Sequence, residues 1–255
     1  MAKKRSTATR RAESEAAATR AAAIRAEQER AERRRRTLVV AAVVVVVLAI
    51  VFAIGYAVQS SSDNSGTAGS TPGGTVGKYA VPAGPADAPT KIVVYEDFMC
   101  PFCGEFEKVT RSAVQGGIDA GTVQVQYHVL NFLDRSSTTR YSTRAASALG
   151  AVLDTSGPAV AKKFHDLLYE HQPQEGSAGL SDAQLLDFAV QAGASRSAVS
   201  SAISSQKYKN WVANVTDQAS KDGVTGTPTV LINGKRASGQ TTDQLAAEVE
   251  SAIKG

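Results

Sequence analysis

Cysteine is scarce in this chain: two in 255 residues, Cys100 and Cys103, separated by two residues. A structural disulfide framework is not available, because one such pair closes a tiny loop and adds little through chain entropy. Histidine is nearly as scarce, with only His128, His165 and His171. None stands at a metal-like spacing from the cysteines, so a four-ligand zinc site is not expected. There is no internal repeat. A positive charge balance is also missing from most of the chain. Residues 1–36 hold 12 Lys/Arg against 5 Asp/Glu, a net of +7. The remainder holds 16 against 19, a net of −3. The basic balance belongs to the tail, and a nucleic-acid partner is not expected for the rest.

Residues 1–37 read as a basic, partly helical arm without an apolar stripe. Charge then disappears altogether. Leu38 to Val58 is 21 residues without a charged side chain. As a helix it spans roughly 30 Å, the thickness of a bilayer core. A cleaved signal peptide has a shorter apolar region, so residues 38–58 read as a single transmembrane helix. The cluster Arg33 to Arg36 puts the arm in the cytoplasm and everything after residue 58 outside. Residues 59–77 lack both charge and bulk and read as a flexible linker.

The folded domain is expected over residues 78–255, with Lys78 to Val81 available as an edge strand. Ile92 to Tyr95 is apolar without alternation, as in a central strand covered on both faces. The helix that follows opens at Pro101. Its packing stripe is expected to be Phe102, Phe106, Val109, Ala113 and Val114, with Glu105 and Glu107 facing solvent and Gly116-Gly117 stopping it. A second strand alternates through Val123, Val125, Tyr127 and Val129. About 138–221 carries no strand signal and reads as four helices, broken at Gly157-Pro158, at Gln172 to Gly179 and at Gly193, with Ser181 capping the third. Thr229 to Ile232, the turn Asn233-Gly234 and Arg236 to Gly239 form a hairpin, and Thr241 to Ile253 a closing helix. Strand–helix–strand, a helical block, hairpin and helix make an α/β protein: a thioredoxin fold with a helical insertion, preceded by the transmembrane helix.

Chemistry concentrates at Asp97-Phe98-Met99-Cys100-Pro101-Phe102-Cys103. Cys100 stands at the mouth of a helix, where free N–H groups and the dipole stabilise a thiolate. Cys103 lies one turn inside, shielded. The plain alternatives are a structural disulfide or two inert thiols. Glu96 and Asp97 are candidates for relaying the Cys103 proton, set against a solvated acidic pair at a strand end; spacing does not choose between the two acids. In Gly223-Val224-Thr225-Gly226-Thr227-Pro228-Thr229, Pro228 either marks the first residue of a strand or follows a cis bond. In the second case the Thr227 backbone is free to pair with an extended peptide. Asn214-Val215-Thr216 matches a glycosylation sequon and is taken as chance.

Together the two motifs resemble those of the DsbA-like thioredoxin-fold oxidoreductases, of the membrane-tethered Gram-positive and actinobacterial type. The resemblance covers roughly residues 78–255. It implies an envelope thiol:disulfide oxidoreductase that passes its disulfide to exported proteins with free cysteines. It implies Cys100 as the exposed nucleophile, Cys103 as the resolving thiol, and Pro228 as the cis-proline after Thr227. The redox-active disulfide replaces any separate cofactor. A membrane partner, such as a vitamin K epoxide reductase homologue, would re-oxidise the pair. Phe102 stands where the best-known oxidases of the family carry His, which leaves the direction of electron flow open. An envelope reductase or isomerase is the first alternative. The second is a membrane-anchored binding or sensor module.

Overall fold

The computed structural model describes residues 70–255. The basic arm, the apolar run and the linker as far as residue 69 lie outside the described residues. No helix among those described is long and apolar enough to cross a membrane. The packed domain starts earlier than composition indicates. Pro72 is buried, the Gly73 N–H donates to Asp154 Oδ1 at 2.9 Å, and the Trp211 indole donates to the Lys78 carbonyl at 2.8 Å.

Five strands form one mixed sheet: β1 (Val81–Ala83), β2 (Thr90–Glu96), β3 (Val123–Val129), β4 (Thr229–Ile232) and β5 (Lys235–Arg236). Their order is β1-β3-β2-β4-β5, with β2 central, parallel to β3 and antiparallel to β4. The hairpin turn takes positive φ at both Asn233 and Gly234, as a two-residue turn requires. Its return strand is shorter and earlier than expected. Side chains alternate across a strand, so Ile92, Val94 and Glu96 share a face with their partners Val125, Tyr127 and Val129. All six are buried. On the other face Val93, Gln126 and His128 are only half-buried. The apolar run of β2 therefore hides an alternation, and that alternation turns the Glu96 carboxylate into the core.

Helix α1 (Pro101–Asp119) packs beside α6 (Thr242–Lys254). Its buried residues are Cys103, Phe106, Glu107, Thr110, Val114 and Gly117. Phe102 and Val109 are 63% and 40% exposed, so the buried stripe is rotated from the expected one and includes Glu107. Gly116-Gly117 does not stop the helix. A Cβ on Gly117 would come within 2.4 Å of Val123 Cγ2, whereas one on Gly116 would meet nothing within 4 Å. These neighbours should respond with opposite sign. Gly116→Ala should stabilise by about 0.5–1 kcal/mol through helix propensity. Gly117→Ala should destabilise by about 1–2 kcal/mol, since overpacking outweighs that gain. Urea denaturation of the two variants measures both.

The insertion comprises α2 (Tyr141–Glu170), α3 (Asp182–Ala192), α4 (Arg196–Ser204) and α5 (Lys209–Lys221). α2 is interrupted at Gly157, φ 79°, as Gly157-Pro158 indicates. Ser181 caps α3 in a reciprocal capping box with Gln184. The break between α4 and α5 carries no glycine or proline. Gln206 takes φ 50° there, and the Tyr208 N–H is held by Ser147 Oγ of α2 at 3.1 Å, so a tertiary contact sets it. Phe164, Leu149, Val212 and Trp211 fill the core between these helices. Burying each contributes roughly 1.5–3 kcal/mol or more.

Candidate active site

Leaving β2, the chain makes one tight turn before α1, and Asp97 organises it. Its buried Oδ1 accepts the Met99 N–H at 2.9 Å and the Ser142 hydroxyl at 2.6 Å. Oδ2 accepts the Leu133 N–H at 2.9 Å. The carboxylate thus ties the cysteine turn to the start of α2 and to the 3-10 turn Phe132–Ser136. Burial outweighs these three bonds and lifts the Asp97 carboxyl to about 6. From the end of α2, Gln172 Nε2 donates to the carbonyls of Phe98 at 3.1 Å and Cys100 at 2.8 Å.

Cys100 occupies the N-cap of α1, and its Sγ donates to the Thr227 carbonyl at 3.4 Å. The Thr227–Pro228 bond is cis, so the second motif stands against the first. The Cys103 thiol beside it, the Thr227 side chain and the amides of Cys103 and Phe102 pull the Cys100 thiol from 9.0 down to about 6, against a smaller opposing effect of burial. Cys103 is fully buried. Burial first, then Cys100 and the charge of Glu96, push its thiol well up. Cys100 itself is only 5% exposed, not openly exposed as the resemblance implied. It reaches the surface through an apolar groove of about 630 Å³ lined by Phe102, Phe132, Leu133, Val224 and Thr227.

A buried ionic cluster joins the end of β2 to α2. His165 from α2 donates Nε2–H to Glu96 Oε1 at 2.7 Å and lies 3.4 Å from Asp166 Oδ1 through Nδ1. Lys162 Nζ donates to the same Asp166 oxygen at 2.6 Å. Burial disfavours the imidazolium, but Glu96, Asp166 and Glu107 outweigh it and raise His165 to about 10. Burial lifts Glu107 to about 7. Glu96, Glu107 and His165 bring ligand atoms within 4.8 Å of one another.

The structure brings all six candidates, Glu96, Asp97, Cys100, Cys103, Thr227 and Pro228, to one end of the sheet. It separates the two acids: Glu96 is buried against His165, while Asp97 holds backbone. Sequence reasoning missed His165, Gln172 and the burial of Glu107. Only Glu107 left a local signal, four residues after Cys103 on the same helical stripe.

The family model described as Thioredoxin matches residues 77–254. The chain belongs to the thioredoxin family. Within it the chain is DsbA-like. Its structure matches oxidised DsbA of Mycobacterium tuberculosis at 30% identity and TM-score 0.58, covering 69% of this chain and 93% of that one. It matches the reduced disulfide bond oxidoreductase DsbG of the same organism at 30% identity and TM-score 0.59, over 69% and 88%. A third relative is the serine/threonine-protein kinase PknE of M. tuberculosis, 36% identical over 121 residues. That match takes in 46% of this chain and 21% of the kinase, so this DsbA-like chain spans about a fifth of that relative's length.

Proposed function

We propose that this DsbA-like chain is an extracytoplasmic thiol:disulfide oxidoreductase that introduces disulfides into exported proteins. The asymmetry of the pair carries the reading: a Cys100 thiol held at about 6 beside a fully buried Cys103 held well above its ordinary value. A substrate thiolate attacks Cys100 Sγ. The Cys100–Cys103 bond breaks, a substrate–Cys100 disulfide forms, and Cys103 leaves as a thiolate and takes a proton. A second substrate thiolate then attacks the substrate sulfur and releases Cys100 as a thiolate. The substrate loses two electrons and the cysteine pair gains them. Glu96, whose charge acts on the Cys103 thiol, is the acid assigned to exchange its proton; Asp97 holds the turn. The Thr227 backbone next to cis-Pro228 pairs with an extended substrate segment, and exposed Phe102 offers it an apolar contact.

Location outside the membrane rests on the sequence of residues 33–58, and disulfides persist there. Re-oxidation is assigned to a membrane partner, with a vitamin K epoxide reductase homologue the chemistry expected. Relatedness to part of a kinase is the one observation that favours a binding or sensor module, and the complete dithiol weighs against it.

Direction is tested by equilibrating the chain with glutathione. A Cys100 thiol near 6 lies between those of thioredoxin (about 7) and DsbA (about 3.5). The expected potential therefore lies between about −270 mV and about −120 mV. A value at or below thioredoxin's assigns a reductase instead.

The same thiol makes a pH prediction. Its folded pKa is depressed from 9.0 to about 6. The stabilisation it gives the reduced chain is complete above 9 and lost as pH falls through 6. The oxidised chain has no such group. Melting both forms across this window should show the reduced form gaining on the oxidised one as pH rises. Parallel curves would refute the low Cys100 pKa.

A further inference from the structure

Cys100 stands one residue past the Phe98–Met99 peptide, and side chains hold that peptide at both polar ends. Its N–H, on Met99, donates to Asp97 Oδ1 at 2.9 Å. Its carbonyl, on Phe98, accepts from Gln172 Nε2 at 3.1 Å, the one hydrogen bond to that oxygen among the described residues. A side-chain amide has two N–H groups, and the other goes to the Cys100 carbonyl at 2.8 Å. That carbonyl also accepts the Cys103 and Gly104 amides that begin α1. Gln172 therefore ties the turn to the first bonds of the helix. Those bonds place the amides of Cys103 and Phe102, which act on the Cys100 thiol.

Both supports of the peptide trace to α2. Ser142, in its first turn, fixes Asp97 through a 2.6 Å bond, and Gln172 lies two residues past its end. Straight, a 30-residue helix would hold those ends about 45 Å apart. The break at Gly157, φ 79° and ψ 175°, folds the two halves back so that both ends reach one turn. Gln172 is seated where α1 carries a glycine. A Cβ on Gly104 would run into Gln172 Oε1 and lie 2.9 Å from its Cδ. Gly104 has no left-handed φ, so its backbone does not call for glycine. The carboxamide beside it does.

We propose that Gln172 is a positioning residue for the exchange reaction: seated on Gly104, it clamps the Phe98–Met99 peptide and the Cys100 carbonyl and so holds Cys100 Sγ at the amides of α1. The inference rests on the reading of Cys100 as the attacked sulfur. Resolution of the mixed disulfide releases Cys100 as a thiolate, and the amides stabilise that charge only while they are aimed at it. Without the clamp the Phe98 carbonyl loses its partner, the turn relaxes, and the reduced state loses that stabilisation. The titratable groups around Cys100 are Cys103 on α1, Asp97 in the turn and Glu175 on the groove wall. Gln172 carries no charge in either redox state, so its removal acts through hydrogen bonding and geometry.

The test is Gln172→Met in the full chain, which keeps the side chain's length and removes the donor. Two readouts are followed: the ultraviolet absorbance of the Cys100 thiolate against pH, and the equilibrium potential against glutathione. The acid constant of Cys100 should fall roughly three- to thirtyfold, the range that a helix N-terminus contributes to a neighbouring charge. At neutral pH the potential should then become more negative by roughly 10–30 mV, at about 30 mV per tenfold for a two-electron couple. Gly104→Ala should move both readouts the same way, because its methyl displaces the carboxamide, even though alanine favours the helix. Added to Gln172→Met, it should move neither further. Wild-type readouts in Gly104→Ala, or in a folded Gln172→Met, overturn the clamp, and so does lost stability with both readouts unchanged. A Gly104→Ala shift that persists in full in the double variant also overturns it, since the effect then belongs to the helix alone. The wild-type potential judges the direction of electron flow, and the difference between variant and wild type judges the clamp, so either can fail without the other. A low-pKa thiolate that persists in Cys100→Ser would instead refute the reading of Cys100, and the clamp with it.

Discussion

Replacing Cys100 by serine should reduce thiol–disulfide exchange to the uncatalysed background, whereas Cys103→Ser should trap the substrate on Cys100. The contrast follows from the surroundings of the two sulfurs. Cys100 opens on the apolar groove and Cys103 is sealed. A drop from 9.0 to about 6 raises the thiolate fraction at neutral pH by roughly a hundredfold. Intrinsic nucleophilicity falls with pKa, by roughly twentyfold over three units. As an attacking group Cys100 therefore gains only a few-fold. As a leaving group it gains from the whole shift, since a lower pKa leaves faster. The depressed pKa thus serves donation of the disulfide more than its capture, which agrees with the proposed direction. Mass spectrometry of Cys103→Ser mixed with a disulfide-bonded peptide should find an adduct on Cys100, with the other peptide thiol released. An adduct-free Cys103→Ser together with active Cys100→Ser would reverse the assignment of the two thiols.

Asp97→Ala should destabilise the chain by about 3 kcal/mol and loosen the cysteine turn. Removing the carboxylate strands the Met99 and Leu133 N–H groups and the Ser142 hydroxyl. Each buried donor left unpaired costs about 1–3 kcal/mol. The raised Asp97 pKa shows that burial of the carboxylate itself opposes folding, so part of the loss is returned and the total stays below the simple sum. Asp97→Asn keeps an acceptor for two of the donors but sets an amide against one N–H, and should cost about 1–3 kcal/mol. The pH dependence has a definite sign. The folded carboxyl is raised from 3.8 to about 6, so its contribution falls as pH rises from 3.8 through 6. Both variants should flatten that part of the wild-type stability profile. Denaturant midpoints within about 0.5 kcal/mol of wild type would remove Asp97 as the organiser of the turn.

The roles of the two cysteines were expected from sequence, but the effect of Asp97 could not be assigned from it. Glu96 and Asp97 are adjacent acids with the same local context. Strand alternation separates them only once the face of β2 that meets the core is known, and the unbroken apolar run Ile92 to Tyr95 concealed that face. Glu107 was misplaced because the stripe on α1 was anchored on Phe102, a side chain that the fold leaves in solvent beside the cysteines. The break at Gln206 was invisible because no glycine or proline marks it.

What residues alone determined were the features whose physics is local. Cysteine spacing at a strand-to-helix junction, proline before a strand, Asn-Gly at a turn and the change from strand to helical periodicity each act within a few positions. They were enough for the thioredoxin fold, its insertion and the meeting of Cys100 with Thr227 and Pro228. The expected arm (1–37), transmembrane helix (38–58) and most of the linker (59–77) lie outside the described residues. Only the tertiary structure decided which acid turns into the core against His165 and which one holds the cysteine turn. The bonds concerned join residues 69 positions apart for Glu96 and His165, 45 for Asp97 and Ser142, and 72 for Cys100 and Gln172. Burial and hydrogen bonding at that range are set by how helices and sheet pack, and no local pattern encodes the partner.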